Sequence, residues 1–453
     1  MCQSRTSPNL PSDPIYSARC VSLKFVTDYI FETFKPTITD NTPDAKTTNY
    51  IHAVRAGFHD KRVSGEKLLQ RVKRAIADDR VFTAAYSQEA YDHALDSDIP
   101  VATFAHFEKN VNVGGGKLIP AHLITWVTVR PTHRRRGLLR RLMTENLTNA
   151  ADAGYPFAAL TVTEGGIYRR FGFGAASWLT DLEVDTSPGF QLISEPDRRV
   201  EMCDAQALQE LAPQIYAEFQ KKSPGAIGRQ QALYDFAAGH DIETGEADDA
   251  VRGALHYDEN GKPDGFVSFK HNAGDDWSHG TLELLDFIAV SNDAYSALWA
   301  FLGAIDLSVK VKFNNAAHQS PLPWLLTDPR RAKIVNENDG IWLRILDVKK
   351  SLEARAWLVG GELTLRINDD MGFADGTYRL VSDGQEATVT KLDNGEPADL
   401  EMNVSELGSL YLGGADPVVL ARAGRITEVR PDAALEARSL FALERAPYTP
   451  NDF

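Results

Sequence analysis

The sequence predicts an α/β (α+β) protein of three units, and three observations carry that prediction. An apolar strand ending Trp126-Val127-Thr128-Val129 runs into a basic, glycine-bearing turn and then a helix. The order hairpin, strand, helix recurs once, in the stretch that begins at Ala254. The final part of the chain alternates strands with helices in a different order. The length of 453 residues agrees, since a domain takes roughly 100–200 residues.

Composition narrows the class. Apolar residues make up 43% and charged residues 25%, as in ordinary soluble proteins. Acidic residues number 63 against 48 basic ones, a net charge of −15. That balance argues against general nucleic-acid or membrane-surface binding and favours cationic ligands, unless it only keeps the protein soluble. Three cysteines, Cys2, Cys20 and Cys203, form neither a disulfide framework nor a zinc pattern, and they fit a reduced, cytoplasmic compartment. No apolar run approaches the ~20 residues needed to span a bilayer. Residues 1–45 read mostly as a mobile extension without a signal-peptide core, with a short ordered piece around Val21–Phe34.

The first unit spans residues 46–185. Glu66–Ile76 has helical spacing, with Leu68, Leu69, Val72 and Ile76 on one face. Ile99–Glu108 and Leu118–Val129 read as strands joined by V-N-V-G-G-G-K, a tight turn or a flexible loop. Leu138–Ala153 reads as a helix stopped by Gly154. Phe157–Thr163 is apolar at most positions, as buried parallel strands are. The second unit, 186–340, holds a hairpin turning near Asn260-Gly261. The strand T-L-E-L-L-D-F-I-A-V follows, then a helix capped near Ser291-Asn292-Asp293. Its strand-to-helix junction has neither the glycine nor the arginines of the first, so it reads as a degenerate copy without a phosphate cradle. The third unit, 341–453, opens I-W-L-R-I-L-D-V as a strand before a helix. Strands follow at Leu363–Ile367, Gly376–Ser382 and Ala387–Leu392, with helices near Val404–Tyr411 and Pro431–Phe441.

The chemistry concentrates in T-H-R-R-R-G-L-L-R-R, residues 132–141. A strand–turn–helix aims several backbone N–H groups and the positive end of a helix dipole at one point, which suits a pyrophosphate. Gly137 lets the backbone approach the phosphate oxygens, and Arg134, Arg135 and Arg136 supply guanidinium forks. The same run also reads as a solvated basic face or a nucleic-acid patch. Its place at a strand-to-helix junction in an acidic chain favours the cofactor phosphate. The eleven histidines show no metal-ligand spacing, and no nucleophile elbow or Walker loop is present. The sequence therefore predicts no metal.

Arg134-Arg135-Arg136-Gly137-Leu138-Leu139 resembles the acyl-CoA-binding motif of the GNAT acetyltransferases, Q/R-x-x-G-x-G/A, with leucine where a small residue is usual. The block Glu164-Gly165-Gly166-Ile167-Tyr168-Arg169-Arg170-Phe171-Gly172-Phe173-Gly174, the three-part length and the ending in Phe narrow the resemblance to the Eis (enhanced intracellular survival) branch. The resemblance covers residues 46–453. It implies two tandem GNAT-type folds and a C-terminal sterol-carrier-protein-like α+β domain. It implies transfer of acetyl from acetyl-CoA, the cosubstrate, to amines of polycations such as aminoglycosides and polyamines. A protein-lysine acetyltransferase and a non-catalytic lipid- or CoA-binding protein are the alternatives. It also implies a homohexamer, a trimer of dimers.

The resemblance assigns roles by position. Val127, Thr128 and Val129 would pair with the pantetheine arm as if it were a strand. Arg134, Arg135, Arg136, Gly137, Leu138, Leu139 and Arg140 would wrap the pyrophosphate. Thr163 and Glu164 would flank the gap that the thioester enters, with Glu164 as substitute base. Tyr168 would be the general acid. Its reference pKa is about 10 against about 8.5 for a thiol. It therefore needs acidification by Arg169 or Arg170, or a poorly solvated thiolate. The terminal carboxylate of Phe453 would accept the amine proton. Trp126 and Asp452 would line a cation-binding pocket, expected to be acidic.

Overall fold

The computed structural model describes residues 29–453, apart from 90, 243, 275, 276 and 394. Cys2, Cys20 and the part of the expected Val21–Phe34 piece before Tyr29 lie outside the described residues.

The first sheet has seven strands in the order Tyr29–Phe34, Val81–Ser87, Ala102–Asn112, Leu118–Val129, Phe157–Thr161, Ile341–Ile345, Gly174–Ala175. The second also has seven: Val200–Cys203, Val251–Tyr257, Pro263–Asn272, Gly280–Ala289, Ser308–Ala317, Trp178–Asp185, Ala332–Asp339. The sheets are interleaved along the chain. Trp178–Asp185 pairs antiparallel with Ser308–Ala317 and Ala332–Asp339 and buries Leu182 and Val184 in the second core. Ile341–Ile345 pairs antiparallel with Phe157–Thr161 in the first sheet. Linear cuts at 185/186 and 340/341 therefore each sever a strand from its sheet. Alternating burial marks a segment as a strand; it does not say which sheet takes it.

The third unit is a five-stranded sheet, ordered Ala387–Leu392, Gly376–Asp383, Gly360–Asn368, Leu400–Asn403, Ile426–Glu428. It shares one continuous core with the first unit, in which Leu123, Phe157 and Leu343 meet Leu365, Leu407 and Tyr411. Two contacts fix this junction. Arg344, fully buried on the borrowed strand, donates to both carboxylate oxygens of buried Asp369 at 2.7 and 2.8 Å. Gly174 lets helix Val404–Leu410 sit directly on the strand edge, because a Cβ there would stand 1.8 Å from the Ser405 carbonyl oxygen.

Within the first unit, helix Gly65–Ala77 buries Leu68, Leu69, Val72 and Ala75, while Ile76 is 42% exposed. The buried face is thus turned one residue from the expected one. The glycine loop is a tight turn, closed by Val113 N–H to the Lys117 carbonyl and Lys117 N–H to the Gly114 carbonyl. The described part of the expected ordered piece is a strand, and beyond it Ile38–Thr39 pairs with Thr42–Pro43 where a mobile extension was expected. Tyr29–Phe34 pairs antiparallel with Val81–Ser87, and the Arg141 guanidinium lies 3.8 Å from the Phe31 ring centre. Two helices go beyond the sequence expectation: Ala45–Gly57 lacks a clear apolar period, while Leu208–Lys222 has one at Leu208, Leu211, Ala212, Ile215, Tyr216 and Phe219 but carries Pro213 inside it.

Candidate active site

The site is built where two parallel strands part. Leu118–Val129 and Phe157–Thr161 pair only through His122–Ala158, Leu123–Ala159 and Ile124–Leu160. Beyond Ile124 the edge carrying Thr125–Val129 has no strand beside it among the described residues. On its other side Thr103 pairs with Thr128 and Ala102 with Val129, and a bulge intervenes before Ala105–Thr125. Trp126 sits in that bulge at φ 52°, a left-handed conformation that a bulky residue adopts only when its surroundings enforce it. Thr103 Oγ1 enforces it here by donating to the Trp126 carbonyl at 2.8 Å.

At the end of the same strand the chain forms a cradle. Arg135 and Gly137 are both left-handed, at φ 63° and 85°, the backbone alternation that gathers N–H groups into an anion-binding concavity. Gly137 is the N-cap of helix Leu138–Asp152, and no side chain caps the first-turn amides, which stay available. Arg134, Arg135 and Arg140 stand exposed, while the Tyr29 hydroxyl accepts from Arg136 Nη1 at 3.0 Å. Leu138 is buried in the core and Leu139 packs against it. Leu139, which departs from the motif, and Leu138 beside it therefore leave the concavity open.

The matching junction of the second unit is closed. Ser291 caps its helix by accepting from Ala294 N–H at 3.1 Å, and it donates to Asp264 Oδ2 at 2.6 Å. His256 Nδ1 lies 2.5 Å from the other Asp264 oxygen. A filled cap beside a carboxylate opposes phosphate.

Next to the parted strands lies a cavity of about 540 Å³. Tyr168, Phe453, Asp452, Trp126, Val127 and Thr163 all line it. Glu164 does not. It stands exposed as the N-cap of the short helix Gly165–Tyr168. Tyr168 is buried, and burial, reinforced by the Glu164 charge, pushes its hydroxyl up to about 12. The expected acidification is absent: Arg169 pairs with buried Glu406 of the third unit, and Arg170 donates to the Ile167 carbonyl.

The final residues are threaded between the units. Tyr448 N–H donates to the Pro224 carbonyl at 2.8 Å. Asn451 takes Arg229 Nε at 3.0 Å and donates to the Tyr216 hydroxyl and Ile227 carbonyl. Gln230 Nε2 donates to the Asp452 carbonyl at 3.1 Å. Thr161 Oγ1, on the parted strand, donates to the Phe453 main-chain oxygen at 2.9 Å. The Phe453 ring meets Phe107 edge-on.

Two expectations fail at the cavity wall. The lining is not uniformly acidic, since Arg71, Arg74 and Arg80 share it with Asp60, Asp78 and Asp452. The Trp126 ring is not open to a substrate cation, because the Arg80 and Arg71 guanidiniums lie 4.5 and 5.4 Å from its centre. Sequence reasoning missed these arginines, because nothing local links residues 71–80 to residue 126.

Interleaved sheets, a strand–cradle–helix junction and a buried tyrosine lining a cavity beside two parted parallel strands are the features of a GNAT acetyltransferase. Comparison agrees. Models described as acetyltransferase (GNAT) domain match residues 40–176 and 225–345, and a sterol carrier protein domain matches 348–450. An uncharacterized N-acetyltransferase of Streptomyces griseus is 32% identical over 90% of this chain and 98% of its own. N-acetyltransferase Eis of Mycobacterium tuberculosis is 35% identical over 71% of this chain and 78% of its own. The crystal structure of Eis1 from Mycobacterium abscessus superposes with a TM-score of 0.76 at 25% identity, covering 89% of this chain and 96% of that one. A GCN5-related N-acetyltransferase from Anabaena variabilis, 22% identical, shares the fold at 0.73 over 94% of this chain and 100% of that one. The chain belongs to the Eis-type GNAT N-acetyltransferases and is an N-acetyltransferase of that family, whose GNAT domains use acetyl-CoA. Among the described residues no helix is long and apolar enough to cross a membrane, and no cluster of three metal-ligating side chains occurs.

Proposed function

We propose that this protein transfers acetyl from acetyl-CoA to a primary amine, with Tyr168 as proton donor and the α-carboxylate of Phe453 as proton acceptor. The observation that carries the reading is that both residues line one cavity beside the parted strands. Acetyl-CoA supplies an acetyl group activated as a thioester. The open cradle at Gly137 fits its diphosphate, and the free edge at Val127, Thr128 and Val129 fits its pantetheine amides. The second unit, its junction closed by Ser291 and Asp264, holds no cosubstrate.

The amine nitrogen forms the new C–N bond as the C–S bond breaks. The bound ammonium gives up one proton through the Phe453 carboxylate and water to solvent before attack; as the C–S bond breaks, Tyr168 protonates sulfur, and the second nitrogen proton, released to water, restores the phenol. An α-carboxylate, with a reference pKa near 3.5, is a weak base against an ammonium. It acts by holding the ammonium and passing its proton onward, through water. Tyr168 at about 12 is a weak acid against a solvated thiolate. The burial that raises the phenol would also raise a thiol sharing the cavity, which narrows the gap between them.

Polycationic acceptors such as aminoglycosides and polyamines, and peptide lysines as the alternative, rest on the family resemblance. So do a hexameric trimer of dimers and a cytoplasmic location. Thiol release measured across an amine panel tests the reaction. Tyr168→Phe is expected to lower kcat by roughly 10²- to 10⁴-fold with little change in acetyl-CoA affinity, and full turnover in that variant would remove Tyr168 from its role.

A further inference from the structure

Trp126 is the strained residue of the site, and the bonds that hold it lead away from the cavity. Across the bulge, Trp126 and Val127 stand against Phe104 alone, between the pairs Ala105–Thr125 and Thr103–Thr128. Trp126 takes up the extra length at φ 52°. Such a conformation in a bulky residue persists where the surroundings fix it more than once. The ring is fixed by Phe82, 5.6 Å centre to centre, and by the Arg80 guanidinium at 4.5 Å. The carbonyl is fixed by Thr103 Oγ1.

Thr103 is fully buried, and a hydroxyl has one proton to give. That proton goes to the Trp126 carbonyl. The 2.7 Å contact between the Thr103 and Thr128 hydroxyls therefore runs from Thr128 to Thr103. Thr128 is buried as well, and the end of helix Ala45–Gly57 packs directly on it: a Cβ at Gly57 would stand 2.5 Å from the Thr128 Cβ. The relay from Thr128 through Thr103 to the Trp126 carbonyl thus ties the two sides of the bulge together. Trp126 and Val127 line the cavity; Thr103 and Thr128 do not.

We propose that Thr103 is a positioning residue for acetyl transfer: its hydroxyl locks the bulge, and the bulge sets how the free edge Val127–Val129 is presented toward Tyr168. A thioester laid along that edge is then held at the gap where the strands part. Without the hydroxyl, the Trp126 carbonyl and the Thr128 hydroxyl each lose a partner. Trp126 is then free to leave the left-handed region, and Val127 moves with it. A misplacement of about 1 Å at a reacting group can cost about a hundredfold in rate. The cradle at Gly137 lies past the end of the strand and keeps its own geometry. The inference rests on the transferase reading and adds a residue to it.

The test uses the full chain, acetyl-CoA and the amine that the unaltered protein turns over fastest. Thr103→Val keeps the shape of the side chain and removes the hydroxyl, whereas Thr103→Ser keeps the hydroxyl. In Thr103→Val, kcat for thiol release should fall about tenfold or more. Its acetyl-CoA dissociation constant, read by calorimetry, should move by less than about threefold at full binding stoichiometry. Thr103→Ser should recover kcat to within about threefold. A hydroxyl that serves stability alone would lower the melting temperature and leave kcat per binding-competent molecule unchanged. That result overturns the inference and leaves the transferase reading standing, as does a Thr103→Ser no faster than Thr103→Val. Should Thr103→Val fail to fold, Gly57→Ala decides. Its added methyl presses on Thr128 from the helix side, and kcat should fall by about threefold or more with acetyl-CoA affinity held; an unchanged kcat overturns the inference. No thiol release by the unaltered protein with any amine overturns both readings.

Discussion

Tyr168 joins the local sequence to the chemistry. It sits at the end of a four-residue helix, buried against Phe173, and burial pushes its hydroxyl up to about 12. The active form of an acid is the protonated one, and a raised pKa keeps it protonated further into the alkaline range. The pH profile of kcat/KM should therefore climb as the acceptor ammonium loses its proton and show no descending limb below about pH 11. A decline centred near pH 8–9, in a protein still folded there, would mean that some other group donates. The position of Tyr168 was legible, because it lies in a contiguous motif. Its environment was not. Arg169 and Arg170 are its neighbours in sequence, yet one turns to Glu406 and the other to the Ile167 carbonyl. The cavity arginines show the same limit: Arg71 and Arg80 acquire meaning only when folding lays them over Trp126.

Among elements, the cradle was the most legible, because strand, turn and helix follow one another without a break. Gly137 at φ 85° is required by conformation, and the proposed diphosphate would need its close approach as well. Gly137→Val forces a β-branched residue into the left-handed region, a strain of about 1–2 kcal/mol. The expected result is an acetyl-CoA dissociation constant raised about tenfold or more, read by calorimetry, with the fold retained. An unchanged constant would place the diphosphate elsewhere. Gly172 and Gly174, in the motif that drew attention to Tyr168, have a different purpose. Gly174 clears space for the Ser405 carbonyl, so this part of the pattern records packing against the third unit. The exchange of Trp178–Asp185 and Ile341–Ile345 between sheets escaped the sequence reading. Alternation says that one face is apolar, and the choice of partner edge depends on contacts more than a hundred residues away.

At the scale of the whole molecule, three units converge on one cavity. The first supplies the parted strands and Tyr168, the second supplies Gln230 and Leu233, and the end of the third threads between them to reach Thr161. The three-part plan was legible from the order of elements, and the family resemblance put Phe453 at the site. The hydrogen bonds that hold the tail, from Pro224, Arg229 and Gln230 of the second unit, join residues more than two hundred positions apart. No local pattern announces them. They give the second unit a purpose at the site: it positions the last residues of the chain. The central claim is that a carboxylate placed by this tail takes the amine proton. The direct measurement is thiol release by the chain ending at Phe453 beside the same chain extended by a few residues, both shown by calorimetry to bind acetyl-CoA alike. The account predicts that extension lowers kcat by about tenfold or more while cosubstrate affinity holds. Equal turnover in the two forms would contradict it.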